Sequence, residues 1–189
     1  MFPLIMQNKV WLGNSSGDMA FKVPEHYEPR TTRYWQEENG QKWRSMGNAC
    51  WFTNLDLKKR HEDLILYTNY TTKQYPTYDN YNAVEVSLTK DIPADFDGVM
   101  GVPLTFVDRH NPDQFDIVGV TQSWFDARTK KYPPQIQVGA DGARSSVAKL
   151  NDGAALRLKS PPSGKTYYVV KGHYYVKVYA RILIRRKPV

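Results

Sequence analysis

The side chains in this sequence that could hold a metal or move a proton are four histidines, one cysteine and nineteen carboxylates. His26, His61, His110 and His173 stand far apart, without the short spacings that let two ligands converge on one zinc ion. Cys50 is alone, so neither an internal disulfide nor a cysteine zinc cluster can form. No local grouping of Ser, His and Asp marks a hydrolytic triad. Gly98-Val-Met-Gly101 and Gly139-Ala-Asp-Gly142 lack the strand–turn–helix setting of a nucleotide loop, and read as flexible turns. The residue types therefore point to no catalytic constellation, no metal set and no cofactor loop. Two polar groupings remain that could bind something. One is the knot Asp108-Arg-His-Asn-Pro-Asp-Gln114, and the other is the basic cluster Lys58-Lys-Arg-His61.

Short strands must position these groups. Val102–Val107 alternates apolar and mixed positions and predicts a strand leading into the knot. Cys50–Leu55 is a strand, and two readings compete for the next segment: a helix over Asp56–Tyr67 capped by Asp56, or a hairpin whose loop carries Lys58–His61. The hairpin is preferred. Met1–Lys9 reads as the end of a helix, Val10–Gly13 as a short buried strand, and Met19–Val23 as a second strand. Pro24–Asn48 is punctuated by Pro24, Pro29, Gly40 and Gly47 and reads as loop. Asn69–Asn82 is tyrosine- and turn-rich, a linker whose tyrosines over Tyr75–Tyr81 read as packing against the sheet, and Asp91–Asp97 continues as loop. Ile117–Gln122 is a strand, and Trp124–Gly153 is weakly patterned. Strands return at Ala154–Leu158, Lys165–Lys171, Tyr174–Val178 and Ala180–Arg186, with a turn at Ser160–Gly164. No internal repeat is visible.

Composition sets the class. At 189 residues and 41% apolar content the chain can bury a substantial core. Its mean hydropathy of −0.61 is that of a soluble protein. No apolar run approaches the ~20 residues that span a bilayer, and Met1–Met6 has no signal-peptide character. A reducing cytoplasm and no membrane partner are the expectation. With 26 basic and 19 acidic residues the net charge is +7, which favours an anionic partner, nucleic acid first.

Several segments together resemble the C-terminal half of the EcoRI-type adenine-specific DNA methyltransferase family. They are Phe2-Pro-Leu-Ile with Asn8-Lys-Val-Trp-Leu-Gly13; Trp51-Phe-Thr-Asn-Leu-Asp56 with Lys58-Lys-Arg-His-Glu62 and Leu64-Ile-Leu66; Tyr75-Pro with Tyr78-Asp-Asn-Tyr81; Gly98-Val-Met-Gly-Val-Pro103 with Asn111-Pro-Asp-Gln-Phe115; and Tyr179-Ala-Arg-Ile-Leu-Ile184. They keep the family's order and cover most of the chain outside about 126–153. Family members transfer a methyl group from S-adenosylmethionine to adenine N6 in a DNA target. The family's cofactor loop and Pro-Pro-aromatic motif lie upstream of the matched part, so the resemblance implies a portion that is inactive alone. Ser160-Pro-Pro-Ser163 only has the outline of that motif, with Ser163 where the ring that stacks on the target base belongs.

The fold implied is α+β and strand-rich. Residues 1–68, through Val10–Gly13 and the strand pair Trp51–Tyr67, would be the last strands of a Rossmann-like methyltransferase sheet. Residues 69–97 would be linker and loop, and 98–189 a mainly β target-recognition region. The partners implied are double-stranded DNA and a missing or separate N-terminal catalytic half that supplies the cofactor site. A free-standing, non-enzymatic DNA-binding module is the alternative. In the recognition reading, Val102–Val107 delivers Arg109, His110, Asn111 and Gln114 to DNA, Arg suiting guanine or phosphate and Asn or Gln suiting adenine. Lys58, Lys59, Arg60 and His61 would grip phosphates. The structural alternatives are a turn capped by Asp108 and Asn111-Pro112 that starts a short helix through Phe115, and a solvated hairpin loop.

Overall fold

Ile182-Leu183-Ile184 is a run of aliphatic residues with the length and branching of a fully buried strand, and it becomes a buried central strand paired on both sides. The computed structural model describes residues 1–28 and 33–188. It divides into two units, Met1–Lys59 and Arg60–Val189.

The first unit begins with a five-residue helix, α1 (Phe2–Met6), with Pro3 in its first turn, where the missing amide proton costs nothing. Three antiparallel strands come next, β1 (Trp11–Val23), β2 (Tyr34–Gln36) and β3 (Lys42–Thr53), in the order β1-β3-β2. The two short strands expected at 10–13 and 19–23 are therefore one. Register shifts fall between Leu12 and Ser16 and between Asp18 and Ala20, so the pairing slips along its length and the strand reads in sequence as two. Much of the loop expected over 24–48 is strand as well, and residues 29–32 lie outside the described residues. Lys42, Trp43 and Arg44 pair with Val23, Lys22 and Phe21. Bases and rings face each other across these strands, so no apolar alternation betrays the sheet. Trp35 stacks on Trp43 at 6.2 Å, with Lys22 over the Trp43 ring.

Neither the hairpin expected over 50–67 nor the competing helix over 56–67 forms. β3 ends at Thr53 against Trp11, and Lys58–His61 is a single 3-10 turn.

The second unit holds two sheets. One has the order β4-β5-β12-β6, built from β4 (Val84–Glu85), β5 (Val99–Pro103), β6 (Phe115–Val120) and β12 (Arg181–Arg186). The other has the order β8-β7-β10-β11-β9, built from β7 (Gln135–Val138), β8 (Arg144–Val147), β9 (Ala155–Leu158), β10 (Tyr167–Val170) and β11 (His173–Lys177). Among the described residues β4–β5 is parallel and every other strand pair is antiparallel. The fold is strand-rich with little helix. The four strands expected in the tail all form, within two residues at each end. The stretch 124–153, weakly patterned in sequence, contributes β7 and β8.

The register stacks the core. Met100 faces Ile184, which faces Ile117; Val102 faces Ile182, which faces Val120. All six are buried. Phe106 and Phe115 close the end of this layer edge to face, 5.5 Å apart.

Segment 69–97, expected as linker and loop, is packed into this unit. Tyr75, Tyr78 and Tyr81 are 2–3% exposed. Asn80 is fully buried and ties the segment to the second sheet, donating to Gly153 O at 2.9 Å and accepting from the Ala155 amide at 2.8 Å. Tyr78 donates to Glu85, which also holds Arg181 through Nη2 at 2.6 Å and Nε at 3.1 Å. Burial first, then the Glu85 charge, pushes the Tyr78 hydroxyl far above its usual range. Gly101 allows this approach, because a Cβ there would sit 2.3 Å from the Tyr78 hydroxyl.

Candidate nucleic-acid interface

The knot begins where β5 stops. Pro103 carries no amide proton for a ladder, and Leu104–Asp108 coils into a 3-10 turn instead of the strand expected over 102–107. Leu104, which that strand would have buried, is half exposed, while Phe106 turns inward.

The Asn111-Pro112 turn then folds its polar groups onto the protein. Asn111 Oδ1 accepts from the Asp113 amide at 2.9 Å, and Nδ2 donates to Asp63 Oδ1 at 2.8 Å. Its carbonyl accepts from the amides of Gln114 and Phe115, a turn that enters β6 directly and starts no helix. Gln114 behaves like a piece of strand: Nε2 donates to Leu64 O and Oε1 accepts from the Leu64 amide, both at 2.8 Å. The Gln114 carbonyl in turn accepts from the Lys187 amide at 2.9 Å. The knot thereby fastens residues 63–64 and the end of β12 to the start of β6.

His110 is part of the same fastening. Its Nε2 lies 2.9 Å from Phe115 O, which can only accept, so that nitrogen carries the proton. Burial lowers its pKa; the Phe115 bond opposes this, and the Arg60 charge adds to it. The ring is neutral at pH 7.

The eight residues expected to touch DNA thus separate. Asn111 and Gln114 have both ends of their amides engaged, His110 is half-buried, and Arg60 is 8% exposed. Lys58, His61 and Arg109 are exposed, and Lys59 is half-buried. The shallow cleft beside the knot mixes Asp63 and Asp113 with Arg186 and Lys187, so it does not present one sign of charge to a polyanion.

A stronger charge feature lies elsewhere. Residues 1–126 carry twelve Lys and Arg against seventeen Asp and Glu, net −5, while 127–189 carry fourteen against two, net +12. The basic segment contains β7 to β12, hence the whole five-stranded sheet. Some of its cations are committed: Arg181 to Glu85, Lys130 to Asp79 at 2.6 Å, Arg128 to Asn151 O at 2.8 Å, and Lys187 to Asp116 at 3.4 Å. Arg144, Lys149, Lys159, Lys165, Lys171 and Lys177 are exposed on the sheet and its connections. Counting charge by segment would have found this in the sequence; counting it over the whole chain does not.

Beneath that sheet, Tyr132 donates to Asp79 at 2.5 Å, and its amide is held by Asn151 Oδ1 at 2.8 Å. Burial tends to raise the pKa of Asp79, but the Lys130 and Tyr132 bonds outweigh it and lower the carboxyl overall. Among the described residues no group of His, Cys, Asp and Glu is placed to hold a metal, and no helix is long and apolar enough to cross a membrane. Ser160–Gly164 is a turn between strands, as expected, with Gly164 in the left-handed region at φ 65°.

Comparison with known proteins gives these features a setting. The family model described as adenine-specific methyltransferase EcoRI matches residues 1–187. The type II methyltransferase M.EcoRI of Escherichia coli is 48% identical over 122 residues, covering 62% of this chain and 37% of that protein. M.MgeORF184P of Mycoplasma genitalium is 37% identical over 126 residues, covering 62% of this chain and 39% of that protein. M.MpnI of Mycoplasma pneumoniae is 33% identical over 124 residues, with the same coverage of each. The chain spans less than two fifths of the length of these relatives. No solved structure matches.

Proposed function

The chain belongs to the EcoRI family of adenine-specific methyltransferases, and on that premise we propose that it supplies DNA target recognition to a site-specific adenine-N6 methyltransferase. The carrying observation is the segregation of charge, +12 over the last 63 residues against −5 over the rest. A polyanionic duplex is attracted to such a surface by release of its counterions. In this reading residues 98–189 are the recognition region, corresponding to a C-terminal portion of the enzyme. Lys58, Lys59 and Arg109 add phosphate contacts, while Arg60, His110, Asn111 and Gln114 hold the platform. A rigid platform is what recognition requires, since contacts must be made in a defined register.

The antiparallel pair β1–β3 would contribute the last strands of a Rossmann-like sheet. Phe21, Met46, Trp51 and Leu55, each 51–70% exposed, are then the apolar surface covered by the cofactor-binding half. S-adenosylmethionine, the donor expected of the complete enzyme, carries a sulfonium, an ammonium and a carboxylate. The cleft that presents Lys165 and Lys177 offers the donor's two cations one carboxylate, Asp152, and so does not suit it; no methyl-transfer step is assigned to this chain's residues.

The test is a pair of titrations of the purified chain, one with duplex DNA at two salt concentrations and one with S-adenosylmethionine. DNA affinity that falls steeply with salt is the expected result. A folded chain that binds no DNA would sink the proposal, and saturable donor binding would overturn the assignment of the cofactor site to another half.

A further inference from the structure

Within the basic segment one place is concave as well as charged. A cleft of about 800 Å³ opens at the end of β10 and β11. Lys165 and Thr166 line it from the turn before β10, Lys177 from the end of β11, Tyr179 from the link into β12, and Gln122 from beyond β6. Tyr168, 7% exposed, forms its wall and belongs to the core with Tyr132, Leu150 and Tyr175. The floor is thus rigid while the lysines stand in solvent. Tyr179 is 87% exposed, more than any other large apolar side chain among the described residues, although the strands on either side of it are fixed by pairing to β9 and to β5 and β6. A ring held out into water from a fixed link costs apolar exposure that nothing in the fold recovers. One carboxylate, Asp152, shares the cleft.

Resting on the DNA-recognition reading, we propose that this cleft is where the duplex backbone is gripped. Lys165 and Lys177 neutralise phosphates, Thr166 donates its hydroxyl to a phosphate oxygen, and Tyr179 lays its ring against the sugar edge. Lysine on a flexible stem suits a diffuse phosphate better than a base edge, so the cleft sets register and strength rather than sequence. The occupant is fixed by charge: two lysines in a segment with fourteen bases and two acids attract a polyanion, and the family acts on DNA.

The experiment titrates the full chain with a mixed-sequence DNA duplex over a range of salt, beside the double variant Lys165→Gln/Lys177→Gln, its Lys→Arg counterpart, and Tyr179→Ala. Each phosphate contact contributes about 0.9 to the slope of log affinity against log salt. The glutamine pair should therefore lower the slope by about 2, with unchanged thermal unfolding, and the arginine pair should restore it. Tyr179→Ala should weaken binding severalfold at an unchanged slope, because the ring is neutral. A glutamine pair that binds with the wild-type slope overturns the cleft assignment and leaves DNA recognition standing. A wild-type chain that ignores DNA overturns the underlying reading and the cleft with it. Tighter binding to a duplex RNA of the same sequence overturns the commitment to DNA.

Discussion

The knot at 108–114 and the surface of the five-stranded sheet are both polar, yet their side chains face opposite ways. In the knot, Asn111, Gln114 and His110 bond to Asp63, Leu64 and Phe115 across as many as 50 residues of sequence, and with the Lys187 amide on the Gln114 carbonyl they join three segments of one unit. On the sheet, Arg144, Lys159, Lys165 and Lys177 stand in solvent over a core of Tyr132, Tyr168 and Tyr175. Density of hydrogen-bonding residue types therefore marks a fastening as readily as a binding site. Exposed charge of a single sign marks a surface with something left to bind.

Substitutions can break this comparison. The largest effect is expected at Asn111, which is 2% exposed and bonded through both ends of its amide. Asn111→Ala should cost ~2–3 kcal/mol of unfolding free energy, measured by urea denaturation, with the DNA salt slope intact. Loss of DNA affinity without loss of stability would make the knot a contact surface after all. Gln114→Ala should cost ~1–2 kcal/mol by the same measurement, since its partner Leu64 keeps access to water.

Lys58→Gln/Lys59→Gln sharpens the other side of the comparison. In the proposed reading it lowers the DNA salt slope by up to about 2 and leaves urea stability unchanged. An unaltered slope would confine DNA binding to the second unit. The smallest effect concerns pH. The folded pKa of His110 is depressed below its unfolded value of about 6.5. The neutral ring's contribution is thus fully present above that pH and is lost as pH falls through the folded pKa. Thermal unfolding from pH 7.5 to 5 should show a steeper loss for wild type than for His110→Gln. Equal slopes would mean that another group carries the acid sensitivity.

Much of the fold was legible from local pattern. The strands at 155–158, 167–170, 173–177 and 181–186 stand where alternation and β-branched residues put them. The strand expected over 102–107 ended early because Leu104 and Phe106, alike in pattern, differ in burial once Pro103 starts a turn. The segment 69–82 reads as linker because turn residues separate its tyrosines, yet the packing of Tyr75, Tyr78 and Tyr81 expected from their type is what the structure shows. Their burial depends on Gly101, Asn80 and the second sheet, which local pattern does not connect to them.

The sequence by itself determined the family, through ordered segments spread along the chain, and it determined a strand-rich fold with a basic tail. Tertiary structure alone decided which polar residues turn inward and which cations stay in water. The reason lies in the range of the interactions. Strand propensity and turn chemistry act over a few residues, whereas the partners of Asn111, Gln114, Glu85 and Asn80 arrive from 48 to 96 residues away. Until those partners meet, an asparagine that fastens a fold and a lysine that holds a phosphate are only two polar letters.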